Sequence, residues 1–266
     1  MPATAEDINC IAHFLAAESD QTPQPADCLV LCVSALLTTA ETVFTHLQTH
    51  PGTIKTLVLC GGIGHSTPYL YDAIATDPRY AHLDPAIHGL PEAQVLHRIF
   101  TECFDGARIV DSGCTVLVED RSTNCGANAA ETKRLLETRG IRPREIVVVQ
   151  DPTMLRRTVA SLEQVYADSA GPSPRFVSWP TFVPRVRMEE ATVMFDDGMG
   201  VEVARLWSLP RFLGLVMGEI PRLRDDGEGY GPKGKGFIVH VAIPEEVEAA
   251  WRRLKEGMGE ERWEKR

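Results

Sequence analysis

The chain has 266 residues, of which 44% are hydrophobic and 24% charged, a composition typical of a globular protein with a buried core. Its 27 basic and 37 acidic residues give a formal net charge of −10, which argues against nucleic acid as a partner because such binding depends on clustered lysine and arginine. No apolar run has the length of a membrane span, and the first residues lack the order of a secretory signal. We therefore expect a cytoplasmic protein that binds a small molecule.

Cysteine and histidine usage indicates neither disulfides nor a metal site. The seven cysteines contain no Cys-x-x-Cys spacing, and Cys28, Cys32 and Cys60 lie in apolar runs where free thiols pack as small hydrophobic groups. Among the eight histidines, only His46 and His50 have the spacing of a metal pair. They lie at a predicted helix end, where polar side chains are common, so we predict no metal.

Strands alternate with helices along most of the chain. Apolar runs predict the strands, and amphipathic stretches between them predict the helices. The predicted strands are residues 28–33, 55–60, 115–118, 145–150 and 175–179, and the predicted helices are residues 6–18, 38–49, 69–75, 91–104, 124–139 and 152–166. This alternation predicts an α/β fold with a doubly wound, mainly parallel sheet of five strands.

The pattern changes near residue 187. Residues 201–218 look helical, although Pro210 must kink or split that helix, and residues 237–243 form one isolated predicted strand that precedes a final helix. We therefore predict a core domain of residues 1–186 and a smaller C-terminal domain of residues 187–266.

A charged, glycine-rich loop, residues 222–236, lies inside the predicted C-terminal domain. Such a composition is typical of a solvated, flexible connection. It also fits a lid that closes over a ligand crevice. The sequence leaves both interpretations open.

The first candidate ligand loop follows the second predicted strand and reads Gly-Gly-Ile-Gly-His-Ser-Thr over residues 61–67. Its small residues would let a ligand approach the backbone, and N–H groups at the start of the next helix could hold a carboxylate or phosphate. The full dinucleotide-binding spacing is absent. Ser66 beside His65 could instead be a nucleophile, but the Gly-x-Ser-x-Gly pattern is missing, so capping or ligand hydrogen bonding fits Ser66 better.

The second candidate loop follows the third predicted strand and reads Glu-Asp-Arg-Ser-Thr-Asn-Cys-Gly-Ala-Asn over residues 119–128. Ser122, Thr123 and Asn124 each suit a helix cap, and a single cap would suffice. In a parallel sheet this turn lies at the carboxyl edge, where helix amino ends point free N–H groups into a crevice. A polar ligand site is the functional interpretation.

The two acids of this loop, Glu119 and Asp120, need partners or a positively charged ligand because carboxylates near a sheet edge are costly to bury alone. Arg156 or Arg157 is a candidate partner. Turns that follow parallel strands all emerge at the same edge. Glu119, Asn124 and Arg156 are therefore predicted to converge on one ligand if their strands are neighbours.

Six separated motifs point to a known family. They are residues 61–67, Glu92-Ala93, residues 119–126, residues 149–154 with Arg156-Arg157, residues 221–226 and residues 229–232. Together they resemble the YdcF-like branch of the SanA/ElyC/YdcF family, a domain of unknown function, over most of the chain. The resemblance implies a Rossmann-like α/β fold with a smaller C-terminal domain, and binding of S-adenosyl-L-methionine with no assigned reaction.

The resemblance also implies site residues. The family motif Glu-x-x-Ser-x-Asn-Thr-x-Glu-Asn has Ala127 here in place of its second glutamate, and Thr153 stands where the family has a histidine, so no histidine-dependent mechanism is carried over. No catalytic residue is assigned. The loops and the resemblance together predict these cofactor-binding residues: Gly61, Gly62, Gly64, His65, Ser66, Thr67, Glu92, Glu119, Ser122, Thr123, Asn124, Asn128, Asp151, Thr153 and Arg156.

Three classes of function remain open. The first is an enzyme or enzyme-like protein that binds S-adenosyl-L-methionine or a related nucleotide in a crevice at the carboxyl ends of the strands. The second is a hydrolase of phosphorylated or acyl substrates that uses His65 and Ser66 near Glu92 and Glu119. The third is a non-catalytic sensor in which the ligand closes residues 222–236.

Overall fold

The central sheet is visible in a computed structural model that describes residues 4–17, 25–167, 171–190 and 192–258. Its strands are β1 (Ala26–Cys32), β2 (Ile54–Cys60), β3 (Thr115–Glu119), β4 (Glu145–Val149) and β5 (Arg175–Ser178). All neighbouring pairs are parallel, in the order β3-β2-β1-β4-β5. The predicted doubly wound, Rossmann-like α/β class is confirmed.

The strand order reverses between β1 and β4. The chain leaves β1 toward β2 on one side, whereas β4 pairs with β1 on the other side, with Cys28 opposite Ile146. In open parallel sheets such a switch point leaves a crevice at the carboxyl ends of the two strands, and ligands usually bind there.

Helices cover both faces of the sheet. They are α1 (Ala5–Leu15), α2 (Leu37–Thr49), α3 (Thr67–Thr76), α4 (Glu92–Glu102), α5 (Gly106–Asp111), α6 (Cys125–Thr138), α7 (Leu155–Ala167), α8 (Leu209–Leu223) and α9 (Glu245–Met258). Short 3₁₀ turns span Ala81–Ala86, Asp197–Met199 and Val203–Arg205. No helix within the described ranges is long and apolar enough to cross a membrane.

Each face of the sheet has its own core because strand side chains alternate between faces. Leu29 and Leu31 of β1 pack with α2, α3, α4 and α5. Cys28, Val30 and Cys32 of the same strand pack with α6 and α7. The cysteines predicted to be small core residues are indeed buried there as free thiols.

A third core joins the two ends of the chain. Apolar residues of α1 pack with α8, α9 and a hairpin formed by β6 (Val186–Glu189) and β7 (Thr192–Phe195). The first helix therefore packs in the C-terminal core, although the sequence assigns it to the first domain. Residue 18, the last of the predicted first helix, lies outside the described residues.

Residues 237–243 do not form the predicted strand. The Ile238 N–H donates to the Tyr230 carbonyl at 3.1 Å, and the Val239 N–H donates to the Ala160 carbonyl of α7 at 3.2 Å. The segment thus bonds to a loop and a helix instead of a neighbouring strand. The apolar run that predicted a strand instead covers the core that joins α1, α8 and α9, where Ile238 is buried.

Two predicted helix starts are also corrected. Pro210 lies in the first turn of α8, where its missing N–H is not needed, and Ser208 caps the helix by accepting the Arg211 N–H at 3.4 Å. Pro210 therefore begins a helix and does not kink one. Helix α7 begins at Leu155, because Asp151 accepts the Thr153 N–H at 2.9 Å and closes a turn ahead of the helix.

The glycine-rich residues 222–236 form a compact loop closed by its own backbone. The Gly229 N–H donates to the Asp226 carbonyl at 3.2 Å, and the Lys235 N–H donates to the Gly229 carbonyl at 3.0 Å. A Cβ at Gly229 would lie 1.9 Å from the Arg224 carbonyl oxygen, so this approach requires glycine. A loop with these internal hydrogen bonds differs from the solvated, flexible connection that its composition suggested.

Candidate ligand-binding site

The two polar loops predicted from the sequence lie side by side, because β2 and β3 are neighbours and Cys60 pairs in register with Glu119. The Gly61 N–H donates to the Glu119 carbonyl at 2.9 Å, and the Gly62 N–H donates to Ser122 Oγ at 3.3 Å. A Cβ on Gly62 would come within 2.1 Å of the Ser122 carbonyl oxygen. Contact between the two loops therefore requires a glycine at this position.

The Glu119 side chain is saturated by its own surroundings. It is 4% exposed, and its Oε1 accepts the N–H groups of Arg121 at 2.7 Å and Ser122 at 3.0 Å. Its Oε2 accepts the Ser122 hydroxyl at 2.5 Å and the Cys60 thiol at 3.2 Å. The Thr132 hydroxyl donates to the Cys60 sulfur at 3.2 Å. This carboxylate therefore holds the β3–α6 loop in shape.

Glu92 lies beneath the β2–α3 loop at the first turn of α4. Its Oε1 accepts the hydroxyls of Thr67 at 2.8 Å and Ser66 at 2.9 Å, and its N–H donates to the Gly62 carbonyl at 3.0 Å. Burial raises the pKa of Glu92, and the bonds from Thr67 and Ser66 oppose that rise. Ser66 is exposed, so this pair combines an accessible hydroxyl with a buried carboxyl group.

Among the remaining predicted residues of the two loops, one caps a helix and others are exposed to solvent. Asn124 caps α6, its Oδ1 accepting the Ala127 N–H at 3.0 Å. Asn128 contributes its carbonyl oxygen, which accepts the Cys60 thiol at 3.7 Å. His65 and Thr123 are exposed. A Cβ on Gly64 would lie 2.8 Å from the Thr123 carbonyl oxygen.

The predicted convergence of Glu119, Asn124 and Arg156 depended on neighbouring strands, and that condition is not met. Strands β2 and β1 lie between β3 and β4, a separation of about 14 Å at ordinary strand spacing. The Arg156 guanidinium bonds to the Phe14 carbonyl and lies 4.1 Å over the Phe14 ring. Its role in the structure is to hold α1 against α7.

The predicted arginine partners of the two acids are also wrong. The Arg157 side chain is 11% exposed and pairs with Glu219 of α8, its Nη2 lying 3.0 Å from Oε1. Asp120 accepts the Gln94 side-chain amide at 2.7 Å. The acids at the end of β3 accept hydrogen bonds from neutral groups of their own loop, β2 and α4, which a linear motif does not reveal.

Asp151 and Thr153 lie at the switch point, where β4 ends beside β1. The Oδ1 of Asp151 accepts the Thr153 hydroxyl at 2.6 Å, and its Oδ2 accepts the Trp207 indole N–H at 2.9 Å. Burial raises the pKa of Asp151, while the bonds from Thr153 and Trp207 and the charge of Arg211 oppose that rise. Asp151 thereby holds residues 202–211, called the strap below, against the carboxyl edge of the sheet.

A crevice of about 580 Å³ opens between α3, the loop after β1 and the strap. Its wall combines aliphatic, aromatic and charged side chains. The lining residues are Ala35, Leu36, Leu37, Tyr69, Asp72, Ala73, Thr76, Asp77, Pro78, Arg79, Glu202, Ala204, Arg205, Leu206, Trp207 and Arg211.

An ion-pair network anchors the strap at one end of the crevice. Arg205 donates to Glu41 of α2 at 2.8 Å and to Asp77 at 3.0 Å, and the side chains of Arg205 and Glu41 are only 18% and 16% exposed. The Tyr80 hydroxyl also donates to Glu41 at 2.8 Å. Hydrogen bonds from Arg79 lower the pKa of Asp77 to about 2, so Asp77 is ionised at neutral pH.

None of the predicted cofactor-binding residues lines this crevice among the residues described. Asp151 touches it through Trp207, and Ser66 and Thr67 begin the helix that presents Tyr69 and Ala73 to it. The strap carries no recognisable motif, so the sequence analysis did not single it out. One signal was present in the sequence. Helix α3 follows the first polar loop directly and carries Tyr69 and Asp72, which line the crevice.

No protein-family model matches the chain. Within the described ranges, no group of three or more His, Cys, Asp or Glu side chains is arranged to hold a metal ion.

Proposed function

We propose that the protein binds S-adenosyl-L-methionine or a related nucleotide in the crevice between α3 and the strap. The observation that carries the proposal is the crevice itself, about 580 Å³ beside the carboxyl end of β1. That volume lies within the range of small-molecule sites, and the position is the one at which open α/β sheets usually bind ligands. The ligand's identity comes from the resemblance to the YdcF-like branch, and membership of that family is part of the proposal.

The lining suits a ligand with an apolar ring system and charges of both signs. Leu36, Leu37 and Leu206 offer aliphatic surface, and Tyr69 offers an aromatic ring. Asp72 is exposed at the crevice. S-adenosyl-L-methionine carries a sulfonium, an ammonium and a carboxylate beside its adenosine, so acidic and basic groups in one crevice match its charges.

The two polar loops position this wall. Ser66 and Thr67 begin α3, and their bonds to Glu92 fix the start of that helix. The contacts of Gly62 with the β3–α6 loop fix the turn that leads into it. The loops therefore act on the ligand through the placement of Tyr69.

Titration calorimetry tests the proposal with S-adenosyl-L-methionine, S-adenosylhomocysteine, and adenine and pyridine nucleotides. We expect saturable binding to the wild type and to Ala130→Trp, a control on an exposed position of α6. Ala73→Trp fills the crevice wall and should abolish binding while the circular dichroism spectrum stays native. Absence of heat and of any thermal shift with the whole panel would contradict the proposal.

A hydrolase is the second candidate, and the Ser66–Glu92 hydrogen bond favours it. An exposed hydroxyl bonded to a carboxyl group of raised pKa is a pair that can exchange a proton with a substrate. Glu119 takes no part because its bonds go to its own loop, and no hydrogen bond joins His65 to Ser66 in the described part of the chain. If a panel of esters and phosphoesters is cleaved equally by wild type, Ser66→Ala and Glu92→Gln, this candidate is wrong.

The cytoplasmic location expected from the sequence stays a prediction. Fractionation of cells that express the full chain checks it. Recovery in the membrane pellet after a high-salt wash would contradict it.

A further inference from the structure

Arg211 brings an unused hydrogen-bond donor to the crevice. It lies in the first turn of α8, and its guanidinium carbon is 3.7 Å from the centre of the Tyr69 ring. Its Nη1 is buried and has no hydrogen-bond partner within the described ranges. Buried guanidinium N–H groups ordinarily have an acceptor, so this nitrogen indicates an acceptor supplied from outside the chain.

Of the acids in this region, Asp151 and Asp77 are already engaged, and Asp72 and Glu202 also line the crevice. The two oxygens of Asp151 accept bonds from Thr153 and Trp207. Asp77 is bound by Arg79 and Arg205. Across the described ranges, no carboxylate lies within ion-pair distance of the Arg211 guanidinium, so its positive charge is balanced only by more distant groups.

The amino end of α2 also borders this crevice. This helix of 13 residues begins at Leu37 without a side-chain cap, and Leu37 lines the crevice. The partial positive charge of a helix amino end attracts anions, so two independent features favour negative charge here.

We propose that the crevice ligand carries an oxyanion, a carboxylate or a phosphate, and that Arg211 binds it together with the amino end of α2. The inference rests on the proposed function for the rest of the ligand. Arg211 is then the residue that selects anionic adenosyl compounds over neutral ones. A planar guanidinium stacked on a ring is suited to this because its orientation is fixed before the oxyanion arrives.

Matched ligand pairs test the inference by calorimetry. S-adenosylhomocysteine is compared with its methyl ester to isolate the carboxylate, and adenosine monophosphate is compared with adenosine to isolate the phosphate. In the wild type the anionic member of one pair should bind at least about tenfold more tightly. The pair that shows the difference identifies the oxyanion.

Arg211→Gln should remove that preference while the affinity for the neutral member changes by less than about twofold. Arg211→Lys keeps the charge and should retain part of the preference, which guards against a glutamine variant that folds poorly. Arg134→Gln is the control, since Arg134 is exposed and pairs with Glu131 on α6. The preference should survive in this control.

The outcomes separate this inference from the proposed function. Adenosyl compounds that bind with equal affinity whether anionic or neutral, or a preference that survives in Arg211→Gln, would overturn the oxyanion site and leave the proposed function standing. If no adenosyl compound binds, but inorganic phosphate raises the melting temperature of the wild type and not of Arg211→Gln, the oxyanion site stands and the proposed function fails. No binding and no phosphate effect would overturn both.

Discussion

Replacing Glu119 by glutamine should lower stability, because the carboxylate is bound by the protein itself. Its Oε1 accepts two backbone N–H groups, from Arg121 and Ser122, and Oε2 accepts the Ser122 hydroxyl and the Cys60 thiol. The amide oxygen of glutamine can keep the two backbone bonds. Its NH₂ then faces the hydroxyl and the thiol, which must turn and accept weaker bonds.

The magnitude follows from these bonds. Hydrogen bonds to a charged group contribute about 1.5–3 kcal/mol and those between neutral groups about 0.5–1.5 kcal/mol. Glu119→Gln should therefore cost about 2 kcal/mol. Glu119→Ala leaves two buried N–H groups without an acceptor and should cost about 4 kcal/mol, which corresponds to a fall of roughly 10 °C in melting temperature for a chain of this size.

Urea unfolding followed by circular dichroism measures both losses, and S-adenosyl-L-methionine titration of the same samples separates stability from binding. Glu131→Gln is the control, because Glu131 forms an exposed pair with Arg134 and its loss should cost no more than about 0.5 kcal/mol. Wild-type stability in both Glu119 variants, together with lost ligand affinity, would refute the reasoning. The carboxylate would then serve the ligand and not the loop.

Three further predictions concern the loops and the strap. Gly62→Ala should destabilise the protein by more than about 2 kcal/mol in urea unfolding, because its Cβ would meet a backbone oxygen. Gly214→Ala is the contrast: its Cβ would meet no atom within 4 Å, and the change should stabilise α8 by about 0.5–1 kcal/mol. Burial raises the pKa of Glu92, so stability should fall as pH rises above the ordinary glutamate pKa, and Glu92→Gln should flatten that slope in unfolding measured across about pH 4 to 7. Arg205→Ala should release the strap and speed chymotryptic cleavage after Leu206 and Trp207; an unchanged cleavage rate there would show that the ion pairs do not hold the strap.

The sheet was predictable because its strands carry their signal locally. Strands β1, β2 and β4 are buried on both faces and read as continuous apolar runs, and each is followed by turn and helix signals. The β6–β7 hairpin was missed because its strands have four residues each and are largely exposed. Residues 237–243 were misread because an apolar run that packs on a core without pairing looks like a buried strand in the sequence.

The position of a loop was predictable only where strands that are consecutive in the chain are also adjacent in the sheet. The loops after β2 and β3 were expected at one edge and do lie together. Arg156 was misplaced because strand order depends on long-range pairing, and β1 enters the sheet between β2 and β4. Arg211 and Trp207 reach the crevice through packing of α8 and the strap, which no local pattern records.

The position of the bound ligand tests the central claim most directly. Crystals of the full chain soaked with S-adenosyl-L-methionine should show difference electron density between Tyr69 and the strap, with the ligand carboxylate beside Arg211. Density above the exposed loops at Ser66 and Thr123, or no density in crystals of a protein that binds the compound in solution, would contradict the assignment of the site to this crevice.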